Sequence, residues 1–317
     1  MRISGYIHIL MIHCPVCDSV DARFLTQDRL DRNNCYFRCR ECGSGFSELR
    51  VHSLAESAEL HTSVYYTPEN EGVRAVPAAE AYFLRRLLAL KSTGRLLDVG
   101  CGRGSWLRYI RENSLFSVEG VEPSEEAASH AREVHGLSVR TGDLVSAAYP
   151  DNFFTAVYLR NVLEHVSNPR GLVREIRRIL VPGGVCAVHV PNDASITNIL
   201  KRWFYRAGLI TEFGSLFYPI HVTGFTTGSL VRLFQDAGFA CLRRETISKA
   251  RRVYEFPLNR LDIPLLPAAV LEWALGMGNL LLGWFEKRSE ALKAGKARSQ
   301  KGKVQNERNN EINFIWG

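Results

Sequence analysis

Four residues in alternation, Asp98, Gly100, Gly102 and Gly104, follow a short apolar run in the stretch GRLLDVGCGRGSWL (94–107). Glycines at such a bend let backbone N–H groups approach a ligand with no Cβ in the way, and a helix is predicted to begin directly after them. A dinucleotide fingerprint, G-x-G-x-x-G, would need its third glycine at position 105, which is Ser105. The spacing D-x-G-x-G-x-G points instead to a nucleoside held without a pyrophosphate. Twenty-two residues beyond Gly100, Glu122 ends the next apolar run, where a carboxylate can accept hydrogen bonds from both ribose hydroxyls. Asp143, in TGDL, ends the third run and is positioned to accept from an exocyclic adenine amine. Each acid alone also reads as a turn or cap residue; three at successive strand ends point to a site.

Two further groups could do chemistry. CPVC (14–17) and CREC (39–42) give C-x2-C, a gap of twenty-one residues, then C-x2-C. Cys14, Cys17, Cys39 and Cys42 would close a tetrahedral zinc shell with no position left for water, so the expected role is structural, in a module too small to bury a core of its own. Cys35, in C-x3-C spacing to Cys39, is an alternative ligand, and His13 is adjacent. Among the histidines, His165 in LEHV and His221 in YPIHVTGF are candidate general bases, whereas His189 alternates inside an apolar strand and reads as a packed core residue. Arg160, Asn161 and Asn192 fall at strand ends facing the same edge, where they either orient a substrate or cap helices. Tyr65 and Tyr66 either fold over the ligand or pack.

These residues need elements to hold them. Strands are predicted at 95–99, 116–122, 137–142, 153–159, 184–190, 241–248 and 311–317, with helices near 77–91, 104–112, 124–135 and 169–180. The 169–180 helix carries Leu172, Val173, Ile176, Ile179 and Leu180 on one face and stops at Pro182-Gly183-Gly184. A later helix, TGSLVRLFQDAGF, ends at Gly238. Alternating strands and helices imply an α/β fold: a parallel sheet covered on both faces.

At this point the sequence resembles a known family. LLDVGCGRG, GVEPS, TGDL, VLEHVSNP, LVPGGVCAVHVPN and HVTGFTTGSLVRLFQDAGF together are similar to the class I S-adenosylmethionine-dependent methyltransferases, particularly those among small-molecule and surface-carbohydrate enzymes. The resemblance covers roughly 80–248, with the last strand expected at 311–316. It implies a Rossmann-like seven-stranded sheet whose final strand is antiparallel. It also implies Asp98 near the methionine end of the cofactor, Glu122 on the ribose, and Asp143 with Leu144 around the adenine. With Gly100, Gly102 and Gly104, the residues Cys101, Pro123 and Arg160 complete the expected cofactor-binding set.

The 317 residues, with a formal charge of +7, allow one large domain plus an accessory piece and suit an anionic partner without choosing one. Five of the eight cysteines crowd between Cys14 and Cys42, which favours metal in a reducing, cytoplasmic setting over secretion. The expected organisation is a zinc-ribbon-like module at 1–50, a linker or cofactor-covering segment at 51–76, and a methyltransferase domain at 77–317 with an apolar helical insertion at 249–308. Within that insertion IPLLPAAVLEWALGMGNLLLGWF (263–285) approaches the length of a bilayer span, but Pro264, Pro267, Glu272 and Asn279 interrupt it. A lid over the acceptor site and a surface touching a membrane or partner are the two readings that remain. The expected activity is methyl transfer from S-adenosylmethionine to an oxygen, with carbon or nitrogen as the lesser alternatives, of a small molecule such as a sugar, glycan or lipid-linked acceptor. RNA methylation, with the zinc module binding RNA, stands second, because the basic residues are dispersed; a non-catalytic binding module stands third.

Overall fold

Strand β4 (Thr93–Val99) shows why this chain builds a sheet covered on both sides: Leu96, Leu97 and Val99 are all buried, but on opposite faces. Leu97 and Val99 join one core, and Leu96 joins the other. The same alternation splits β7 (Phe154–Arg160), with Val157 and Leu159 on the first side and Ala156 and Tyr158 on the second. The computed structural model describes residues 12–48, 78–211, 213–216, 220–248 and 266–288.

The main sheet adds β5 (Leu115–Glu122), β6 (Val139–Thr141), β8 (Leu180–Pro191), β10 (Phe239–Ile247) and β11 (Leu280–Lys287). Their order is β10-β11-β8-β7-β4-β5-β6. β4 pairs in parallel with both β5 and β7, and only β11 runs antiparallel to its neighbours. The chain builds outward from β4 through β5 to β6, then returns to lay β7 on the other side of β4. The carboxyl edge at β4 is therefore a topological switch point, the place where such sheets open a crevice.

Helices α1 (Ala78–Leu90), α2 (Ser105–Asn113) and α3 (Glu125–His135) cover one face through Phe83, Leu87, Trp106, Ile110 and Ala131. Helices α4 (Pro169–Ile179) and α6 (Thr227–Asp236) cover the other through Val173, Ile176, Leu230 and Phe234. Ser124 caps α3 by accepting from Ala127 N, and Gly136 ends it in the left-handed region. Thr226 and Ser229 form a capping box on α6.

Two expectations are corrected. The antiparallel strand between β8 and β10 is Leu280–Lys287, not 311–316, which lies outside the described residues. The apolar run 263–285 accordingly breaks at Gly276 (φ 64) into helix α7 (Leu266–Leu275) and the start of β11. Trp284 and Phe285 are each 0 % exposed, so the strand half of the run is core rather than a lid or a membrane surface, whereas α7 leaves Val270, Leu271 and Leu275 exposed. A strand flanked on both sides within a covered sheet must be apolar on both faces, and its sequence then reads like a buried helix. Glu272, which interrupts the apolar run, is buried and accepts from Thr197 N (2.7 Å) and Thr197 Oγ1 (2.6 Å), pinning α7 to the first turn of α5 (Ile196–Arg206). Among the described residues no helix is long and apolar enough to cross a membrane. The second correction is smaller. Pro182-Gly183-Gly184 falls inside β8 rather than before it, because the ladder jumps from Phe154↔Leu180 to Ala156↔Val185 and residues 181–184 leave it, so proline's missing N–H breaks no pair.

The amino-terminal segment forms its own small sheet from β1 (Ala22–Gln27), β2 (Cys35–Cys39) and β3 (Gly45–Ser47), and β3 pairs with β9 (Thr223–Gly224) of the larger domain. Tyr36 stacks on Phe213 at 5.5 Å between centroids, and Tyr205 Oη donates to Gln27 O (2.7 Å). The cysteine segment is thus stitched onto the domain by backbone pairing as well as by rings.

A paired substitution tests how tightly the glycine turn is built. Gly104 has φ 81, and a Cβ there would lie 2.6 Å from Leu137 Cδ1 and 2.9 Å from Ala131 Cβ. Gly104→Ala is expected to lower unfolding free energy by about 2–3 kcal/mol in urea titration. Gly136→Ala, at φ 58 with nothing within 4 Å, should cost only about 1 kcal/mol.

Candidate functional site

The glycine turn at the end of β4 is held from the neighbouring strand. Gly100 N (2.8 Å) and Cys101 N (3.3 Å) both donate to Val121 O. Gly100, Gly102 and Gly104 all have positive φ, at 73, 54 and 81, which is why glycine occupies every second position. The residue directly after Val121 is the acid that matters most: Glu122 Oε2 accepts from Gly102 N (2.8 Å) and Glu122 Oε1 accepts from Ser124 N (3.0 Å). Pro123, half-buried between them, leads into α3. Glu122 O accepts from Gly142 N (3.0 Å), which carries the chain to Asp143, so all three acids do stand at adjacent strand ends. Cys101 is buried, and the absence of a side chain at Gly120 makes room for it: a Cβ there would sit 2.6 Å from Cys101 Sγ.

The electrostatics suit a cation. Burial, then the charge of Glu122, push Asp98 well above the usual carboxylate range, and burial raises Glu122 as well. A positively charged ligand in this crevice would relieve both. Asp143 Oδ1 caps its own turn by accepting from Ser146 N (2.6 Å), beside the buried Leu144; the capping role and a ligand role are compatible, because a carboxylate has four acceptor sites. Arg160 is half-buried at the end of β7. Asn192 is a brace: its Nδ2 donates to Gly278 O (2.7 Å) and its Oδ1 accepts from Ala194 N (3.1 Å). Tyr65 and Tyr66 lie outside the described residues.

His165 and His221 come together, with ring centroids 4.7 Å apart and planes inclined at 66°. His165 Nδ1 donates to Ile220 O (2.8 Å) and His221 Nδ1 to Ser215 O (2.9 Å). Beside them is a residue that spacing did not single out. Glu164 is buried, neither carboxylate oxygen has a hydrogen-bond partner, and Oε1 lies 3.7 Å from His165 Nε2. Burial pushes its acid up to about 8. The signal was a charge inside the apolar run Leu163-Glu164-His165-Val166. His189, as expected, is buried in β8.

The four cysteines of the two C-x2-C pairs also converge. Cys14 Sγ lies 3.6 Å from Cys42 Sγ, and Cys17 Sγ lies 3.5 Å from Cys39 Sγ. A tetrahedral shell with metal–sulfur bonds near 2.3 Å needs sulfurs about 3.8 Å apart, so the arrangement fits one ion. Cys35 is not part of the group. Ser44 Oγ sits 3.2 Å from Cys14 Sγ and 3.1 Å from Cys42 Sγ, the kind of outer contact that orients ligating thiolates. The Cys42 thiol at its side pulls Cys14 down to about 5. None of the eight cysteines forms a disulfide.

Between the cysteine segment and the larger domain is a buried ion cluster. Asp193, 0 % exposed, receives Arg38 Nη2 at 2.6 Å from β2 and Arg202 Nη1 at 3.0 Å from α5, and Ser215 Oγ donates to it at 2.7 Å. Burial alone would raise this acid, but the two guanidiniums win and hold it below the usual range. A group depressed in the folded chain adds stability that is present above its unfolded value, about pH 4, and is lost as pH falls through the folded value. Urea midpoints are therefore expected to drop between about pH 5 and about pH 2, and Asp193→Asn should flatten part of that slope while lowering stability at neutral pH.

Seven strands in this order, the seventh reversed, with an acid on the second strand clamping a left-handed glycine turn on the first, define the class I S-adenosylmethionine-dependent methyltransferase fold. The sequence assigns the family: the chain belongs to the methyltransferase-domain family, whose pattern matches residues 74–243. It is 34% identical over 181 residues to a sterol 24-C-methyltransferase of Aspergillus fumigatus, covering 54% of this chain and 46% of that one. It is 32% identical over 138 residues to an uncharacterized methyltransferase of Schizosaccharomyces pombe, covering 38% and 48%. The chain thus spans less than half the length of these curated relatives. Among solved structures it is similar to phosphoethanolamine N-methyltransferase 2 of Haemonchus contortus in complex with S-adenosyl-L-methionine, with TM-score 0.54 at 16% identity, covering 77% of this chain and 62% of that one. The cyclase SpnF gives TM-score 0.54 at 20% identity, covering 76% and 98%. Likeness at this level establishes the fold, and a cyclase on it is a reminder that the fold alone does not choose the reaction.

Proposed function

We propose that the chain transfers a methyl group from S-adenosylmethionine to an oxygen of a small-molecule acceptor, a sugar, glycan or lipid-linked compound. The observation that carries the reading is the Glu122 carboxylate bound to Gly102 N and Ser124 N at the switch point. In the proposed complex Glu122 takes the ribose hydroxyls, Asp143 and Leu144 flank the adenine, and Asp98 faces the methionine end, with Gly100, Cys101, Gly102, Gly104, Pro123 and Arg160 completing the wall. The sulfonium donor is already activated, so the protein's main tasks are to align the acceptor oxygen in line with the S–CH3 bond and to let its proton leave. The proton is assigned to the cluster of Glu164, His165 and His221. Cys14, Cys17, Cys39 and Cys42 are assigned one structural zinc.

Support for a small acceptor over RNA comes from relatives named for a sterol and for phosphoethanolamine, the latter a phosphoethanolamine N-methyltransferase of Arabidopsis thaliana at 34% identity over 104 residues. Incubating the protein with radiolabelled donor and a cell extract separated into RNA, lipid and small-molecule fractions tests the choice. Label is expected in the lipid or small-molecule fraction; label confined to RNA overturns it.

A further inference from the structure

We propose that Glu164, His165 and His221 bind a second metal ion, a divalent transition-series cation such as Zn2+, with coordination positions open toward the acceptor. One ring nitrogen of each histidine and a Glu164 oxygen all lie within 4.8 Å of one another. Glu164 Oε1 and His165 Nε2, at 3.7 Å, already have nearly the separation of about 3.4 Å that a tetrahedral ion with bonds near 2.1 Å requires.

Three features distinguish this triplet from a chance cluster of polar groups. Each imidazole gives its Nδ1–H to a backbone carbonyl, Ile220 O and Ser215 O. Such an outer hydrogen bond fixes the tautomer and directs the Nε2 lone pair to a metal. The Glu164 carboxylate, 1 % exposed, has no hydrogen-bond partner on either oxygen, and a buried acid left so is costly unless a cation or proton completes it. Finally, the donors are two nitrogens and one oxygen, a set that suits zinc, manganese or iron rather than magnesium or calcium. It also differs from the four-sulfur group, since three protein ligands leave room for water or a substrate oxygen.

Its place in the fold gives the ion something to act on. Glu164 and His165 follow β7, the strand beside β4, and Val162 on the same connection packs so closely on the glycine turn that a Cβ at Gly100 would lie 2.7 Å from Val162 Cγ2. The triplet therefore borders the crevice assigned to the methyl donor. Resting on the methyltransferase reading above, the role of the ion follows. With the ion bound, the triplet acts on the acceptor's proton through the metal rather than as a free base: an acceptor hydroxyl that takes an open position loses its proton to water more readily. The oxygen lone pair then attacks the methyl carbon, the C–S bond breaks with its electron pair going to sulfur, and the products are a methyl ether, the neutral thioether and one proton.

The test is a zinc count on the full chain after equilibrium dialysis against buffered micromolar free Zn2+. Wild type should hold two equivalents, and Glu164→Gln and His221→Ala one each, the remaining ion being that of the four thiolates. One equivalent in all three proteins overturns the proposal, as do two in all three, since a buried neutral Glu164 would not change the count. Calorimetry with S-adenosylhomocysteine on the same samples separates the two readings. Binding that is retained in both variants shows that they are folded, whereas wild type with two zinc equivalents and no nucleoside affinity would sink the methyltransferase reading and leave the site.

Discussion

Replacing Glu122 by alanine weakens S-adenosylhomocysteine binding by about 100- to 1,000-fold in calorimetry, equivalent to about 3–4 kcal/mol. The size follows from what one carboxylate does here. Glu122 accepts from Gly102 N and Ser124 N, so it fixes the bend that must receive the ligand and the first turn of α3 at once. Its remaining acceptor positions are those assigned to two ribose hydroxyls, and hydrogen bonds to a charged group contribute about 1.5–3 kcal/mol each. Alanine removes both the contacts to the ligand and the clamp on Gly102. Glutamine keeps the volume and one acceptor oxygen, so Glu122→Gln should lose only about 10- to 30-fold. Unfolding free energy should change little in either variant, because the lost caps are offset by relief of a desolvated acid that also repels Asp98. Unchanged affinity in Glu122→Ala would remove this residue from the ribose role, and with it the main ground for the proposed activity.

What the sequence disclosed and what it hid divide along a physical line. The turn Asp98–Gly104 was legible because positive φ leaves a trace, glycine at each left-handed position, and the acids at the ends of β5 and β6 sit at fixed offsets from it. The C-x2-C pairs were legible because two cysteines on one tight turn are a local constraint, and the structure gathers Cys39, not Cys35, with the other three. The strand Leu280–Lys287 was not, because a strand buried on both faces carries no period-two signature and a charged residue just upstream, Glu272, suggested a lid helix rather than a cap for α5. Nor could spacing reveal Glu164 or Asp193. Glu164 matters through His221, which lies in another segment, and Asp193 meets Arg38 across 155 positions of chain. Local constraints write themselves into short motifs; pairings made by the finished fold do not.

The pairing of the cysteine segment with the larger domain carries the second large prediction. Cys14→Ser combined with Cys39→Ser should cut turnover at least tenfold while leaving S-adenosylhomocysteine affinity within about threefold. A structural zinc bound by thiolates supplies apparent folding free energy of about 10–16 kcal/mol, far more than so short a segment can gain from burial. Without the ion, residues 12–48 should lose amide protection in hydrogen exchange. The consequence then travels by named bonds. Phe46 pairs with Thr223 and Gly45 with Gly224, Ser47 N donates to Val222 O (2.9 Å), and Val222 N and Thr223 N both donate to Glu164 O (2.9 and 3.1 Å). The segment that carries His221 is therefore sandwiched between the cysteine sheet and the backbone of Glu164, and freeing one side loosens the histidine proposed for the acceptor side against its partners. Glu122, Asp98 and the glycine turn hang instead from β4 and β5, which touch none of these bonds. Cofactor affinity and turnover should thus separate. Equal turnover in a variant shown by exchange to have lost its amino-terminal sheet would mean that His221 is held without the cysteine segment, and that the module serves something other than the acceptor side of the site.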